Sequence, residues 1–520
     1  MRRRRLTNRG PDLIIPPIRM VASPSPCSPS AETPSVRPSA GGFLPPGWLL
    51  LIWVLLTLPL LAGVSADADL FWHILAGQRI LAERAIPMID DWSYTASGHP
   101  WINHEWLSQI VMAGIWEAFG NRGLLALRAL VLLGAAFFLG LALWKRCPDP
   151  FWATLLFCLP LWVYSELINL RPLGVTTMGV TLVLLLLTIA RTGARWPLWA
   201  LGGCFLVWCN LHAGFMFGLG ISGIAILLMV RSGIQPPGAV LCLLIYPLVT
   251  IVLNPFGISL WEYIFREVGS PHPHLPEWNP PEPALAVVAM VFFLLPIVLA
   301  IWRRTSALPE EWLGLLISHA MTMQSARFIV LEIMFALLAI ASGLGRRPPA
   351  HPFLTCPRRA LINLAALGAI FGTFHLGLMK PPGRIPIDPR RYPVGGIAYL
   401  RAAAGPSKLW LPLGWGGYAI FHLSQRGVKV AIDGRNTTVY PVDFVVAHSH
   451  LLVDGKAEPI RQVDPDVLMG YASGPLYDTF TTWSDYEQVY RDDLCAIFVR
   501  RGFPWNHPSV IPSGITEFPG

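Results

Sequence analysis

The stretch Gly47–Ala76 combines an apolar run with an acidic pair, and both features shape the expected structure of this chain. It reads GWLLLIWVLLTLPLLAGVSADADLFWHILA. Its first part is apolar, and a run of about 20 apolar residues is long enough to cross a bilayer as a helix. Asp67 and Asp69 follow this run directly. Because ionisable groups near membrane depth are costly and usually line a cavity, the pair predicts an aqueous site at the end of the first span.

The composition places most of the chain in the bilayer. Of its 520 residues, 53% are hydrophobic and 13% are charged, whereas soluble domains carry about 25% charged residues. These values exclude a soluble enzyme, a disulfide-stapled secreted protein and a mostly disordered protein. The net charge of +8 comes from short basic clusters beside apolar runs, which is how membrane topology is set. No zinc-finger or RNA-binding motif accompanies these clusters, so we expect no nucleic-acid partner.

Further apolar stretches predict a mainly α-helical bundle of about eleven membrane spans, with membrane lipid as its solvent. The spans begin near Gly47, Arg122, Phe151, Pro172, Trp196, Ala213, Gly238, Ala284, Glu311, Ala326 and Ala360. A basic segment rich in Pro and Ser, residues 1–46, precedes them and is expected to be a disordered cytoplasmic tail. The predicted transmembrane domain therefore covers residues 47–379.

The segment Glu105–Gly120 decides the predicted orientation. Its pattern is typical of an amphipathic helix that lies at the membrane interface. If it lies flat and the N-terminus is inside, the later basic clusters face the cytoplasm, as the positive-inside rule requires. These clusters are Lys145-Arg146, Arg191, Arg195, Arg231, Arg303-Arg304, Arg346-Arg347 and Arg358-Arg359. The first outer loop is then residues 65–121. The polar residues that face outward are Asp67, Asp69, Asn169, Arg171, Asn210, His212, Asn254, Glu277 and Arg327.

From about Lys380 the composition is that of a soluble protein. Three segments are expected to be strands: Lys408–Phe421, Val428–Ile432 and Leu494–Val499. Asp433-Gly434-Arg435 predicts a hairpin turn, and the stretch Gly414–Gly417 predicts another turn. Residues 380–520 are therefore expected to form a small α/β domain outside the membrane.

The acidic pair has two chemical interpretations. If Ala68–Leu81 is helical, Asp69 and His73 share one face. One carboxylate can accept a proton from a hydroxyl group. Alternatively, the two carboxylates can hold a divalent cation beside a phosphate, and the residues leave this metal question open.

Two motifs carry a resemblance to a known superfamily. They are D-L-F-W-H-I-L-A at Asp69–Ala76 and P-W-I-N-H-E-W-L at Pro100–Leu107. With the first span, the acidic pair and the long loop, they resemble the GT-C superfamily of membrane glycosyltransferases that use polyprenyl-phosphate sugars. The resemblance is strongest to the group related to protein mannosyltransferases and aminoarabinose transferases. The acidic motif here is D-x-D rather than adjacent D-E, and the paired prolines are missing.

The resemblance implies an inverting transfer of sugar from a polyprenyl-phosphate donor to a lipid, glycan or protein acceptor at the outer face of a membrane, most simply the bacterial inner membrane. It implies Asp69 as the general base, with Asp67 as its competitor. The leaving phosphate requires cationic groups or strong hydrogen-bond donors. The expected substrate-binding residues are His73, His104, Glu105, Arg171, His212 and Arg327.

Structural alternatives stand beside these roles. Asp67 and Asp69 are also suited to cap a helix, and Asp90-Asp91 favours a turn over a metal site. Glu105 is equally suited to be a helix-start charge or a second acid. Asn210 and His212 are equally suited to interhelical hydrogen bonding. The stretch Gly269–Trp278, with His272, His274 and Glu277, favours a surface loop at the donor entrance over a metal site. The alternative function is a non-catalytic GT-C relative, or a transporter or flippase that handles lipid-linked glycans.

Overall fold

The computed structural model describes residues 44–57, 64–160, 170–268, 278–305, 307–346, 384–403, 405–454, 456–510, 514 and 516–519. All of them belong to the unit Pro38–Gly520. Several predictions lie outside the described residues: nearly all of the tail 1–46, the span near Ala360, the position of Asn169, and the loop residues His272, His274 and Glu277.

Helices make up the larger part of the fold, and most of them are apolar. They are α1 (Gly47–Thr57), α2 (Ala68–Glu83), α3 (Trp106–Arg146), α4 (Pro150–Cys158), α5 (Leu173–Ala190), α6 (Trp196–Leu211), α7 (Phe215–Arg231), α8 (Cys242–Val252), α9 (Ile258–Val268), α10 (Pro283–Arg303), α11 (Pro309–Gln324) and α12 (Ile329–Arg346). Of these, α2 and α9 belong to the polar segments between apolar helices.

In the described part of the chain, four helices are long and apolar enough to cross a membrane: Trp106–Arg146, Leu173–Ala190, Pro283–Arg303 and Ala326–Gly345. Four shorter segments are also apolar and helical: Gly47–Thr57, Trp196–Leu211, Phe215–Arg231 and Pro237–Val252. The chain is therefore a mainly helical integral membrane protein. The predicted count of about eleven spans is not confirmed, because apolar composition alone does not say how far each helix extends.

The helix α3 has a break at Gly120. This residue has φ 61° and ψ −151°, a left-handed conformation that glycine adopts without the strain of a side chain. Before the break, Met112 packs in one hydrophobic core with Phe71 of α2. After the break, Leu132 and Leu139 pack in the core of the helix bundle. The break thus separates Glu105–Gly120 from the following span. That Glu105–Gly120 lies flat at the membrane interface stays a prediction.

The two ends of α5 carry different groups. Arg171 lies just before the helix and Arg191 just after it, so a helix of 18 residues places them about 27 Å apart. At the second end, Arg146 pairs with Glu311 at 2.5 Å and Arg191 pairs with Glu310. These pairs hold α3, α5 and α11 together at the end of the bundle opposite to Arg171.

The C-terminal part contains one five-stranded sheet. Its elements are α13 (Val394–Ala403), β1 (Ser407–Trp410), α14 (Leu413–Leu423), β2 (Val428–Val430), α15 (Val442–Asp454), α16 (Glu458–Gln462), β3 (Val467–Tyr471), α17 (Pro475–Thr482), β4 (Tyr486–Arg491) and β5 (Cys495–Arg500). The strand order is β2-β1-β3-β5-β4. Strand β1 pairs in parallel with β2 and β3, whereas β5 pairs antiparallel with β3 and β4.

Two local predictions in this part are wrong. Lys408–Phe421 is not one strand, because β1 ends at Trp410 and the predicted turn at Gly414–Gly417 lies inside α14. Asp433-Gly434-Arg435 is not a hairpin turn. The next strand along the chain, β3, pairs with β1 and not with β2, whereas a hairpin turn would join two strands that pair with each other.

The C-terminal sheet and the first outer loop share a hydrophobic core. Phe71 of α2 is fully buried and contacts Tyr392, Tyr418 and Phe518 through its ring. The glycine Gly417 of α14 allows this close packing, since a Cβ there would lie 2.7 Å from the carbonyl oxygen of Ala68. The start of α2, which carries the acidic pair, is therefore held by the C-terminal part of the chain.

Candidate active site

The acidic pair lies at the first turn of α2. Asp67 is the N-cap of the helix, and its side chain accepts a hydrogen bond of 3.1 Å from the backbone N–H of Asp69. Capping is thus a role that Asp67 performs. Asp69 is held differently, because its Oδ1 accepts a hydrogen bond of 3.1 Å from the indole Nε1 of Trp72.

Arg171 joins both carboxylates from a distant part of the chain. Its Nη1 lies 3.4 Å from Oδ2 of Asp69, and its Nε lies 3.6 Å from Oδ2 of Asp67. The three side chains are partly buried, with exposed fractions of 16–25%. The arginine fork is suited to bind oxygen atoms in pairs, so a phosphate could share this group with the carboxylates.

A second cluster surrounds Glu105 at the start of α3. Its carboxylate lies 3.6 Å from Nε2 of His73, 3.9 Å from Nε2 of His104 and 3.6 Å from Nε2 of His212. These distances are longer than hydrogen bonds. The four side chains therefore face one another without being bonded to one another.

The hydrogen bonds of His212 define which ring nitrogen carries its proton. The backbone N–H of Gly214 donates to Nδ1 at 3.1 Å, so Nδ1 is an acceptor, and the hydroxyl of Thr176 lies 2.7 Å from the same atom. In a neutral imidazole the other nitrogen then carries the proton. The protonated Nε2 of His212 is consequently the ring atom that lies 3.6 Å from the Glu105 carboxyl group.

Burial controls the charge of this cluster. It raises the pKa of Glu105 to about 8, and the negative charge of Asp69 adds to the effect. Burial also lowers the pKa of His104 to about 4 and lowers the pKa values of His73 and His212. At pH 7 the histidines are therefore neutral and Glu105 is mostly protonated, so the cluster presents N–H and O–H donors rather than charges.

Arg327 lies near this cluster, on the short turn Ala326–Phe328 between α11 and α12. Its guanidinium lies 4.1 Å from the centre of the Trp278 ring. Its positive charge acts on both Glu105 and His212. The structure thus brings all eight predicted site residues to one end of the bundle: Asp67, Asp69, His73, His104, Glu105, Arg171, His212 and Arg327.

Among the described residues, no group of three or more His, Cys, Asp or Glu side chains has an arrangement that could hold a metal ion. A divalent cation at Asp67 and Asp69 stays a prediction.

Several side chains at the site were not predicted to contribute to it. Trp72 orients Asp69, and Trp106 donates from Nε1 to Oδ1 of Asn210 at 3.1 Å. Asn254 donates to the same oxygen at 3.2 Å. Asn210 therefore links helices by hydrogen bonds, the structural alternative expected from the sequence. An indole N–H has no pattern of its own in a sequence rich in tryptophan, so only the contacts identify Trp72 and Trp106.

A third cluster of charged side chains, centred on Arg435, lies close to the acidic pair and is fully buried. Nη1 of Arg435 lies 2.7 Å from Oδ1 of Asp90, and its Nε and Nη2 donate to Asp433 at 2.9 and 2.8 Å. The guanidinium is also close to the ring centres of Trp92 (4.9 Å) and Trp101 (4.8 Å). Asp90 accepts from the backbone N–H of Trp92, which is the expected turn. Its ion pair with Arg435 was not expected from the sequence.

A helix bundle with a polar site at one end and a small sheet packed over that end is the architecture expected of the GT-C fold. The predicted fold is confirmed by the similarity to a solved structure with a TM-score above 0.5. The archaeal oligosaccharyltransferase AglB from Archaeoglobus fulgidus, in complex with an inhibitory peptide and a dolichol-phosphate, has a TM-score of 0.55 at 10% identity, over 89% of this chain and 74% of that chain. ArnT from Cupriavidus metallidurans, bound to undecaprenyl phosphate, has a TM-score of 0.46 at 11% identity, over 87% and 96%. No family model matches the sequence, and no curated protein is similar to it.

Proposed function

We propose that this chain is an inverting glycosyltransferase that takes its sugar from a polyprenyl-phosphate carrier. The observation that carries the proposal is the contact between Asp69 and Arg171, 3.4 Å apart at the end of the membrane helices. A base for the acceptor and a cation for a phosphate are thereby placed side by side. The solved structure of AglB, which shares the fold, contains a dolichol-phosphate, and this supports the class of donor.

In the proposed reaction, Asp69 accepts the proton of an acceptor hydroxyl group. The hydroxyl oxygen forms a bond to the anomeric carbon on the face opposite to the phosphate. The bond between that carbon and the phosphate oxygen breaks, and its electron pair leaves with the polyprenyl phosphate, so the configuration inverts. The indole of Trp72 holds Oδ1 of Asp69, which leaves the carboxylate oriented for this proton transfer.

The leaving phosphate is stabilised by hydrogen-bond donors that lie beside Asp69 and around Glu105. Arg171 offers a guanidinium fork, and His212 offers an Nε2–H. Protonated Glu105 adds an O–H donor at neutral pH, because its pKa is about 8. Donors that are already in place where negative charge develops stabilise the transition state.

The orientation and the domain division belong to the same proposal. The Asp69 site and residues 380–520 lie on the outer face of the bacterial inner membrane, and the N-terminus lies in the cytoplasm. The acceptor is therefore a lipid, glycan or protein that is accessible from outside.

The test is transfer by the purified full-length chain from a panel of polyprenyl-phosphate sugars. Asp69→Asn is expected to lower the transfer rate by more than about 100-fold, because general base catalysis contributes about that much. Asp91→Asn is the matched control, since Asp91 is exposed and forms its ion pair with Arg79, a residue outside the site. Full activity of Asp69→Asn would remove this residue from the role of base. Tight binding of the donor without turnover in the unmodified chain would favour a non-catalytic or transport function.

A further inference from the structure

The loop that follows β2, Asp433–Thr438, lies directly against the acidic pair. Gly434 has so little space beside it that a Cβ there would lie 2.6 Å from Oδ1 of Asp69 and 3.3 Å from Nε1 of Trp72. These are the two atoms of the hydrogen bond that orients Asp69. The loop backbone is therefore in close contact with the Asp69 carboxylate.

The same loop is held rigidly by its own side chains. The buried Arg435 bridges Asp433 and Asp90, and Asp433 accepts a hydrogen bond of 2.6 Å from Tyr440. Burial opposes the ionisation of Asp433, but the contact with Arg435 outweighs it and lowers its pKa. Gly416 allows α14 to pack closely against this loop, because a Cβ there would lie 2.5 Å from Cα of Asp433.

The loop also contacts the elements that carry the Glu105 cluster. The carbonyl of Thr438 accepts a hydrogen bond of 3.2 Å from the N–H of Ile102, two residues before His104. Thr437 hydrogen-bonds to Glu267 of α9, and Tyr263 of the same helix lies 5.3 Å from His104 between ring centres. One loop of the C-terminal sheet therefore touches both halves of the site.

The topology of the sheet explains why this loop is at the site. The carboxyl ends of parallel strands lie at one edge of a sheet, and functional loops collect there. Strands β1 and β2 are parallel, and both the start of α14 and the loop Asp433–Thr438 follow their carboxyl ends. The edge of the sheet thus faces α2.

The geometry points to a positioning function for this loop: the backbone at Gly434, anchored by Arg435, fixes the orientation of the Asp69 carboxylate. This inference rests on the proposed function of Asp69 as the base. It makes the C-terminal part of the chain a component of the active site rather than an appendage beside it. Gly434 is a positioning residue, since it acts through Asp69 and not on the substrate.

Gly434→Ala tests the inference in the full-length chain. Because the φ of Gly434 lies outside the left-handed region, alanine adds only a methyl group that meets the Asp69 carboxylate. We expect kcat to fall about 10- to 100-fold, while KM for the polyprenyl-phosphate sugar stays within about twofold, since the donor sites on Arg171 and His212 are untouched. Gly414→Ala is the matched control, because Gly414 is exposed, lies on α14 and has no atom within 4 Å of the position that a methyl group would take.

A double-mutant cycle shows whether the effect passes through Asp69. The Asp69→Ala variant lacks the atom that the new methyl group meets, so Gly434→Ala should lower the Tm of the unmodified chain and leave the Tm of Asp69→Ala unchanged. Should Gly434→Ala alone fail to fold, recovery of folded protein in the Asp69→Ala background gives the same answer.

Three results would overturn the inference. The first is a wild-type kcat in Gly434→Ala when Asp69→Asn is inactive. The second is a loss of kcat equal to that of the Gly414→Ala control. The third is an equal loss of Tm in both backgrounds. If the unmodified chain transfers no sugar, the proposed function fails. The Tm values of the double-mutant cycle still show whether Gly434 contacts Asp69, because they do not depend on activity.

Discussion

Glu105 shows most clearly how position changes the chemistry of a residue. In the sequence it is a carboxylate before a helix, equally suited to a helix-start charge or to a second acid. In the structure it lies among three neutral histidines with only 14% of its side chain exposed, and this removal from water raises its pKa to about 8. A carboxylic acid that keeps its proton at neutral pH donates a hydrogen bond instead of repelling an anion.

This state of Glu105 predicts how donor binding depends on pH. Below its pKa of about 8 Glu105 is neutral, and above it the carboxylate repels the donor phosphate. We expect KM for the donor to rise about tenfold between pH 7 and pH 9. Six groups either act on the titration of Glu105 or lie close to it. They are His73, His104, His212, Asp69, Arg171 and Arg327.

The matched variant for this prediction is Glu105→Gln, which keeps a neutral side chain with a donor group. Its KM should stay nearly constant over the same pH range, as measured by steady-state transfer with one polyprenyl-phosphate sugar. A rise in KM for Glu105→Gln equal to that of the unmodified chain would assign the pH dependence to another group.

At the scale of elements, the predicted helix of the first outer loop is confirmed, and so are two of the three predicted strands. The helical pattern of Ala68–Leu81 corresponds to α2, which extends from Ala68 to Glu83. The run Lys408–Phe421 was interpreted as a strand but contains β1 and α14, because a short apolar run fits a buried strand and a buried helix equally well. The parallel pairing of β1 with β2 then places Asp433-Gly434-Arg435 at a strand end, a position that turn residues alone do not reveal.

The loop after β2 carries a prediction about stability. Arg435→Met leaves Asp433 and Asp90 buried without their cation, so the fold should lose about 3–5 kcal/mol of stability. Arg390→Met is the control, because Arg390 is 91% exposed beside Asp388 and an exposed ion pair contributes little to stability. Thermal unfolding of the detergent-solubilised chain measures both. Equal midpoints for the two variants would contradict a structural role for the buried network.

At the scale of the whole molecule, the distribution of charge divides the bundle into two ends. The acidic pair and Arg171 lie at one end, whereas Arg146 and Arg191 pair with glutamates at the other. The helix α7 runs between these ends, from Gly214 beside His212 to Arg231, over 17 residues or about 26 Å. The positive-inside rule predicts that the end with Arg146 and Arg191 faces the cytoplasm, since the basic clusters gather there.

That orientation predicts which surface positions face outward. In a chain whose Cys27 and Cys356 are replaced by serine, Ser97→Cys in the first outer loop should react with a membrane-impermeant maleimide in intact cells. Ser232→Cys, at the far end of α7, should react only after the membrane is permeabilised. Both serines are exposed, so access to the reagent depends on the side of the membrane. The reverse labelling pattern would invert the proposed topology.

The apolar helices and the acidic pair after the first span can be derived from the sequence, because both depend on neighbouring residues and their periodicity, and the GT-C fold follows from a resemblance of two short motifs. Only the tertiary structure decided that Arg171 reaches Asp69 across 102 positions, that three histidines surround Glu105, and that Gly434 supports the Asp69 carboxylate. Contacts between distant segments arise from the packing of whole helices against the sheet. The residues that form such contacts carry no shared local pattern from which the contacts could be derived.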